Sequence, residues 1–483
     1  MHFRSVQRIL GILLMLFSVT LVPPLLVAWI SADGAVMAFL VALGIILASG
    51  LAIWLPVAGH RRELRVRDGF VVVVMFWTVL TLIGALPFVL AEHPHLPLID
   101  AIFESASGLT TTGATVIVGL DEQPVSILYY RQQLQWLGGM GIVVLAVAVL
   151  PMLGIGGMQL YRAETPGPIK DNKLTPRLAE TAKALWYIYL GLTVACGLAY
   201  WAAGMSPFDA LGHAFSTVAI GGFSTHDASL GYFQSPLVDG VAVLFMFLAG
   251  INFSLHFVAF RSRNPAGYWH DPELRFYVLL LVVVAALTVV GLYWSGTYES
   301  WEEALQKGIF HAVSIGTTTG FTTDPWHVWP GFLVILLLFA STAGGCAGST
   351  GGGLKVIRVL LLIKQGLREI RRLIHPNAQI PVRLGDKVVA SRVIEAVWGF
   401  FALYVASFTV MYLALAASGV DLMTAFSAVM ACLNNLGPGL ENVGPHYADM
   451  PDLGKGILVF AMLLGRLEIF TLLVLLTPAF WRD

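Results

Sequence analysis

The sequence predicts an all-α polytopic membrane protein. Four pseudo-symmetric repeats of helix, pore helix, filter segment and helix surround one pore, after two extra transmembrane helices. Three observations predict this. Of 483 residues, 57% are hydrophobic and only 12% charged, with a mean hydropathy of +0.79, whereas soluble domains carry about 25% charged residues. Ten apolar runs approach the roughly 20 residues that a helix needs to cross a bilayer. Four short Gly-containing segments, 109–113, 218–222, 316–320 and 433–437, each follow a stretch too short to cross and precede a long apolar run. Membrane interiors tolerate non-helical backbone only where protein buries it or it lines a watery path. A ring of four such segments can replace an ion's hydration shell with carbonyl oxygens.

The elements follow in order. Arg4 and Arg8 precede the run 9–30, which exceeds the signal-peptide core of about 7–15 residues and ends in the poor cleavage site Ala32-Asp33-Gly34, so a retained first span is expected. With the run 35–58 it makes up an N-terminal pair, 1–60. The repeats are expected at 69–160 (spans 69–91 and 127–150), 180–265 (182–204 and 236–260), 274–372 (275–295 and an interrupted 328–363) and 391–483 (393–417 and 455–480). Short helices are expected at 100–108, 207–217, 301–314 and 421–431. Pro207 before Asp209, the pair Glu302-Glu303, and Asp421 read as helix-start signals. A short helix descending into the membrane places the negative end of its dipole near the centre, which favours a cation there.

Loop charges orient the chain. With the N-terminus inside, Arg61, Arg62, Arg65, Arg67, Arg162, Lys170, Lys173, Arg177, Arg261, Arg263, Arg368, Arg371, Arg372, Arg383, Lys387 and Arg482 all fall on the inner side, while only Arg131, Lys307 and Lys455 fall outside. Both termini are therefore expected inside. The four Gly segments contain no Asp or Glu. Divalent sites normally recruit carboxylates, so a weakly hydrated monovalent cation fits better. Glycine supplies the positive φ that a tight filter backbone requires.

Six glycines, Gly344, Gly345, Gly348, Gly351, Gly352 and Gly353, crowd one apolar run. Each costs about 1 kcal/mol in a helix relative to Ala, so a broken helix with a loop below the filter is expected. That loop reads either as a gate or as close packing through small residues. Arg466, within the last apolar run, reads as a positive barrier beside the path or as one partner of a structural ion pair. Glu468 is only two residues away, on another helix face. Glu104 and Arg131 are expected to brace the filter surround. His213 and His311 read as hydrogen-bonding residues, and Asn252 as a bond to another helix. Cys196, Cys346 and Cys432 read as small buried hydrophobes.

At these residues the chain resembles the Trk/Ktr/HKT superfamily of potassium uptake proteins, in its bacterial TrkH-type membrane subunit. The resemblance spans the whole length and rests on the stretches 107–115, 131–141, 316–321, 434–439 and 341–355. It implies four linked pore units around one pore and one filter glycine per repeat. The K+ filter is then expected from Thr111, Thr112 and Gly113; Ile220, Gly221 and Gly222; Thr318, Thr319 and Gly320; and Asn435, Leu436 and Gly437. In some plant relatives a serine replaces the first filter glycine and accompanies sodium permeation, so Gly113 favours potassium. The resemblance supports the gate and barrier readings. It also implies a homodimer with one pore per protomer, a cytosolic ring of nucleotide-binding (RCK-type) regulatory subunits, and the bacterial plasma membrane. K+ is then cargo, and no organic cofactor is expected.

The net charge of −1 argues against a nucleic-acid partner. No Walker A, HExxH, GxSxG or Rossmann pattern occurs in a plausible context, so an enzyme is not expected. The competing reading is an ion-coupled secondary transporter that binds another small solute at broken helices. An intramembrane hydrolase would need a paired nucleophile and base, or two carboxylates, deep in the spans, and none is visible.

Overall fold

The computed structural model describes residues 3–59, 66–144 and 174–482. Helices α1 (Phe3–Val19) and α2 (Val22–Ser31) make one kinked span, interrupted where Pro23 and Pro24 remove backbone donors. Helix α3 (Val36–Trp54) packs closely on α1 at Gly11 and Gly50, where a Cβ would strike the facing helix.

From there one order of elements occurs four times. It runs first through α4 (Val66–Gly84), α5 (Leu86–Leu90), the short α6 (Leu98–Leu109) and α7 (Val125–Val144). The second pass comprises α8 (Leu174–Ala202), the short α9 (Pro207–Val218), α10 (Pro236–Ala249) and α11 (Phe253–Ser262). A connector, α12 (Ala266–His270), leads to α13 (Pro272–Trp294), the short α14 (Trp301–Gly316), α15 (Gly331–Ala343) and α16 (Val356–Ile374). A two-stranded hairpin, β1 (Arg383–Leu384) with β2 (Lys387–Val388), precedes the fourth pass. That pass consists of α17 (Ser391–Ala417), the short α18 (Leu422–Leu433), α19 (Asp452–Arg466), α20 (Phe470–Leu476) and α21 (Pro478–Trp481).

Among the described residues, six helices are long and apolar enough to cross a membrane, and eight if two bent pairs count as spans. The four short helices lie where the sequence placed them. Side-chain caps begin three of them: Ser206 accepts from Asp209 N, Ser300 from Glu302 N, and Asp421 from Met423 N and Thr424 N. Arg61, Arg62, Arg65, Arg162, Lys170 and Lys173, and the ends of the expected span 127–150 and repeat 69–160, lie outside the described residues, as does the side chain of Arg177.

Two expected spans are not continuous. The run 236–260 bends by 91° between α10 and α11, and 455–480 bends by 117° between α19 and α20. Only the third break was anticipated, because only there does glycine density show it. In the fourth pass Glu468 adopts φ +50° and closes a Schellman-type end, with Ile469 N donating to Leu464 O at 3.2 Å. Arg466 is consequently the last residue of α19, not the middle of a span. Asn252 does not bond another helix as expected; its side chain caps α11, accepting from Ser254 N at 2.8 Å.

Candidate functional site

The four Gly segments share one backbone. Each short helix ends in a left-handed residue two positions before its glycine: Thr111 (φ +53°), Ile220 (+54°), Thr318 (+69°) and Asn435 (+54°). The glycines follow at +83° (Gly113), +77° (Gly222), +86° (Gly320) and +98° (Gly437). In every repeat the residue between them donates its N–H back five residues: Thr112 to Ser107 O, Gly221 to Ser216 O, Thr319 to Ser314 O and Leu436 to Ala431 O, at 2.8–2.9 Å. These are Schellman closures, which satisfy helix-end carbonyls. They hold left-handed conformations that cost a non-Gly residue about 1–2 kcal/mol.

The segments also close into a ring. A Cβ at Gly113 would collide with the Gly221 carbonyl oxygen, one at Gly222 with that of Thr319, one at Gly320 with that of Leu436, and one at Gly437 with that of Thr112. Each repeat thus rests its glycine on the backbone of the next, and the fourth returns to the first. Here the requirement for glycine is double, because φ is positive and there is no room for a side chain. Thr111, Thr112, Thr318, Thr319 and Asn435 are fully or almost fully buried. The hydroxyls of Thr112 and Thr319 are bridged at 2.7 Å to Thr110 and Thr317. Asn435 donates to Thr112 Oγ1 of the neighbouring first repeat at 3.0 Å.

Behind the ring, one position does the same work in three repeats. Glu104, His213 and His311 each stand nine residues before the glycine and reach the chain that follows it. Glu104 accepts from Val116 N at 2.9 Å, His213 meets Ser224 Oγ at 2.8 Å, and His311 meets Asp324 O at 3.3 Å. Glu104 is also paired with buried Arg131 at 2.6 Å, and Arg131 donates onward to Ser224 O in the second repeat. Replacing Glu104 with Ala strands a buried guanidinium, at a cost of about 3–5 kcal/mol. Thermal unfolding in detergent is expected to show a large loss, with Glu104→Gln milder.

Sequence reasoning assigned no role to Gln132 and Gln135. Gln135 Nε2 donates to Gly221 O at 2.6 Å while its Oε1 accepts from Phe223 N, and Gln132 Nε2 donates to Phe223 O at 3.1 Å. The signal was available, since amides inside an apolar span mark functional or bracing positions.

Above the ring opens a vestibule of ≈ 450 Å³ whose floor includes Gly113, Gly222, Gly320 and Pro438. At its rim the His226 ring stacks on Tyr232 at 3.5 Å between centroids and lies between two carboxylates, Asp121 at Nδ1 and Asp209 3.5 Å from Nε2. Partial burial disfavours the charged ring, but Asp209 and Asp121 outweigh it and raise the His226 pKa above the usual histidine value. A raised folded-state pKa means that the clasp contributes fully below about pH 6.5 and is lost as pH climbs through the folded value. Wild-type melting is therefore expected to fall between about pH 6 and pH 9 by more than that of His226→Gln.

On the opposite side of the ring lies the loop between α15 and α16, with Ser349 and Thr350 fully buried. It is bonded to three repeats. Cys346 N donates to Gly250 O (2.8 Å), Gly348 O accepts from Phe253 N (3.1 Å), and Thr350 Oγ1 donates to Val218 O (2.9 Å). Gly352 N donates to Thr318 Oγ1 (2.7 Å) and Gly353 N to Asn434 O (3.1 Å). Gly344 and Gly352 leave no space for a Cβ, so close packing accounts for part of the glycine density. The break in the second repeat follows from the same contacts, since its freed groups at Gly250 and Phe253 are satisfied by the loop.

Arg466, 2% exposed, donates to Thr350 O and Gly138 O, each at 3.1 Å. Among the described residues no carboxylate lies within ion-pair distance of it, and Glu468 pairs with Arg358 instead. Among the described residues the structural ion-pair reading of Arg466 is therefore replaced by a guanidinium hydrogen-bonded to carbonyls beneath the ring and facing the Trp77 ring at 5.8 Å. Lys355, which sequence reasoning passed over, adds a second buried cation, donating to Gly351 O at 2.7 Å.

Residues 35–482 match the TrkH family, described as a cation transport protein. The chain is 57% identical over 485 residues to the Trk system potassium uptake protein TrkH of Vibrio parahaemolyticus, and 58% identical over 482 residues to that of Halomonas elongata; 100% of each chain is covered. A crystal structure of the potassium transporter TrkH from Vibrio parahaemolyticus superimposes with a TM-score of 0.93 at 54% identity, covering 100% of both chains.

Proposed function

Because the chain belongs to the TrkH family of cation transport proteins, we propose that it takes up potassium across the bacterial plasma membrane. The ion passes a selectivity filter built from residues 111–113, 220–222, 318–320 and 435–437. The observation that carries this is the closed ring, in which each glycine of four equivalent backbones rests on the next repeat. Such a ring offers backbone oxygens without carboxylates, which suits a monovalent cation. The loop with Gly344, Gly345, Gly348, Gly351, Gly352 and Gly353 is the gate, and Arg466 is a positive barrier below the filter. Four pore repeats, 69–160, 180–265, 274–372 and 391–483, follow the helices in 1–60.

The vestibule faces outward and both termini lie inside, in keeping with Arg368, Arg371, Arg372, Arg383 and Lys387 at the far end of α16 and in the hairpin. The chain works as a homodimer under a cytosolic nucleotide-binding ring, a reading supported by relatives whose names place them in a Trk system. It is a transport protein, not an enzyme. Solute-coupled transport is not favoured, since the helix break in the second repeat is taken up by the loop.

Cation flux into proteoliposomes tests this. K+ and Rb+ are expected to enter at least about tenfold faster than Na+ and Li+, a barrier difference of about 1.4 kcal/mol. Equal rates for all four ions, in the wild type and in a loop deletion, would overturn it.

A further inference from the structure

We infer that Arg358 and Glu468 are a positioning pair that ties the intramembrane loop to Arg466, so that the two parts of the barrier release together. The inference rests on the gate reading above and adds how its parts are coupled. Arg358 lies in the first turn of α16, just beyond the loop. Its Nη2 donates to Glu468 Oε2 at 2.6 Å, and its Nη1 donates to Leu354 O at 3.2 Å, near the loop's end. The guanidinium is clamped from the other side by the Phe400 ring of α17, 4.1 Å away. Glu468 stands in the three-residue break of the last helix, at φ +50° and two residues after Arg466. One carboxylate thus joins the loop's exit to the hinge from which Arg466 projects.

Geometry makes the coupling directional. Helix α16 runs from the loop to Arg371 and Arg372 in its last turn. A displacement of α16 along its axis draws on Leu354 through the chain and on Glu468 through the ion pair. The loop then leaves Thr318 and Asn434, and Arg466 leaves Thr350 O and Gly138 O, in one movement. Without the pair, the loop can shift while Arg466 stays, or the reverse. The shared contact between Arg466 and Thr350 makes such half-open states leaky rather than closed.

The test is K+ flux into proteoliposomes carrying the full chain without a partner, for wild type, Arg358→Gln, Glu468→Gln and the double variant, each also in an Arg466→Ala background. Coupling of ordinary strength amounts to about 5–150-fold, so each single variant is expected to raise basal flux by about tenfold. The double variant should match the singles, and the K+/Na+ ratio should not change. In Arg466→Ala, Glu468→Gln should add nothing, a dependence that a merely structural pair would not show. Arg358→Lys and Glu468→Asp should restore most of the closure. Wild-type flux in both single variants, or effects that multiply regardless of Arg466, would overturn the inference. Where a Gln variant does not fold, Arg358→Met and Glu468→Leu, which remove the charge, are read instead, and leakage above wild type supports the pair while its absence refutes it. Deletion of 351–353 separates the two levels. If the deletion accelerates flux and the pair variants do not, only the coupling falls; if the deletion does not accelerate it, the gate reading falls first.

Discussion

Gly113→Ser is expected to cut the K+/Na+ flux ratio by about tenfold or more, the equivalent of about 1.4 kcal/mol in relative barrier. Two effects act at this residue. Its φ of +83° is a conformation that a side chain rarely adopts, and its missing Cβ is where the Gly221 carbonyl oxygen sits. A serine must therefore push the backbone at Gly221 outward or rotate its own peptide. Either change alters the spacing of the oxygens around the axis. The strain need not unfold the protein, because the Schellman closure at Thr111 and Thr112 and the Glu104–Arg131 pair lie outside the disturbed contact. Gly456→Ser, in a helix and with nothing within 4 Å of its added Cβ, should leave the ratio unchanged. Competing fluxes of K+ and Na+ in the same vesicles measure both. An unaltered ratio in Gly113→Ser would remove this ring from the selectivity step.

Deleting 351–353 is expected to raise K+ flux by at least about tenfold while keeping the preference for K+, for a barrier change of about 1.4 kcal/mol or more. The deletion removes the bonds from Gly352 N to Thr318 and from Gly353 N to Asn434, which pin the loop under the ring. It also withdraws Gly351 O from Lys355, and shortens the segment that carries Thr350 to Val218 and Arg466. The ring's own closures are made at the ends of the short helices and survive. Arg466→Ala acts on the same barrier by removing a positive charge together with its bonds to Thr350 O and Gly138 O. A guanidinium without a carboxylate partner beneath the proposed cation path repels the ion, and in a low dielectric such repulsion is strong. If the deletion leaves flux at the wild-type level, the loop is packing and the collisions predicted at Gly344 and Gly352 are its whole explanation.

Much of this architecture is legible in the residues. The four short helices are visible because a stretch of about a dozen residues with a start signal cannot cross a bilayer. The third break is visible because six glycines cannot make a stable helix. The breaks after Ala249 and Arg466 are not visible, because Gly250-Ile251-Asn252 and Leu467-Glu468-Ile469 carry no comparable local weakness. The first of those helices stops where the loop takes up its freed groups at Gly250 and Phe253, and the second closes on itself through Ile469 N and Leu464 O while the Glu468 side chain is held by Arg358. The role of Gln135 escaped because it serves a backbone 86 residues away, and that of Lys355 because its reach to Gly351 O, four residues back, depends on how the loop folds.

By itself the sequence determined the membrane class, the places of the four short helices and their Gly segments, and the break between α15 and α16. All of these follow from local terms, namely hydrophobic length, capping and the backbone freedom of glycine. Only the tertiary structure decided that the four segments close into one ring, that Glu104, His213 and His311 are equivalent braces, and that Arg466 binds carbonyls while Glu468 binds Arg358. These are contacts between groups up to 328 residues apart. Which partner a buried charge or an unpaired carbonyl finds depends on what the fold brings within about 3 Å, and no local pattern encodes that.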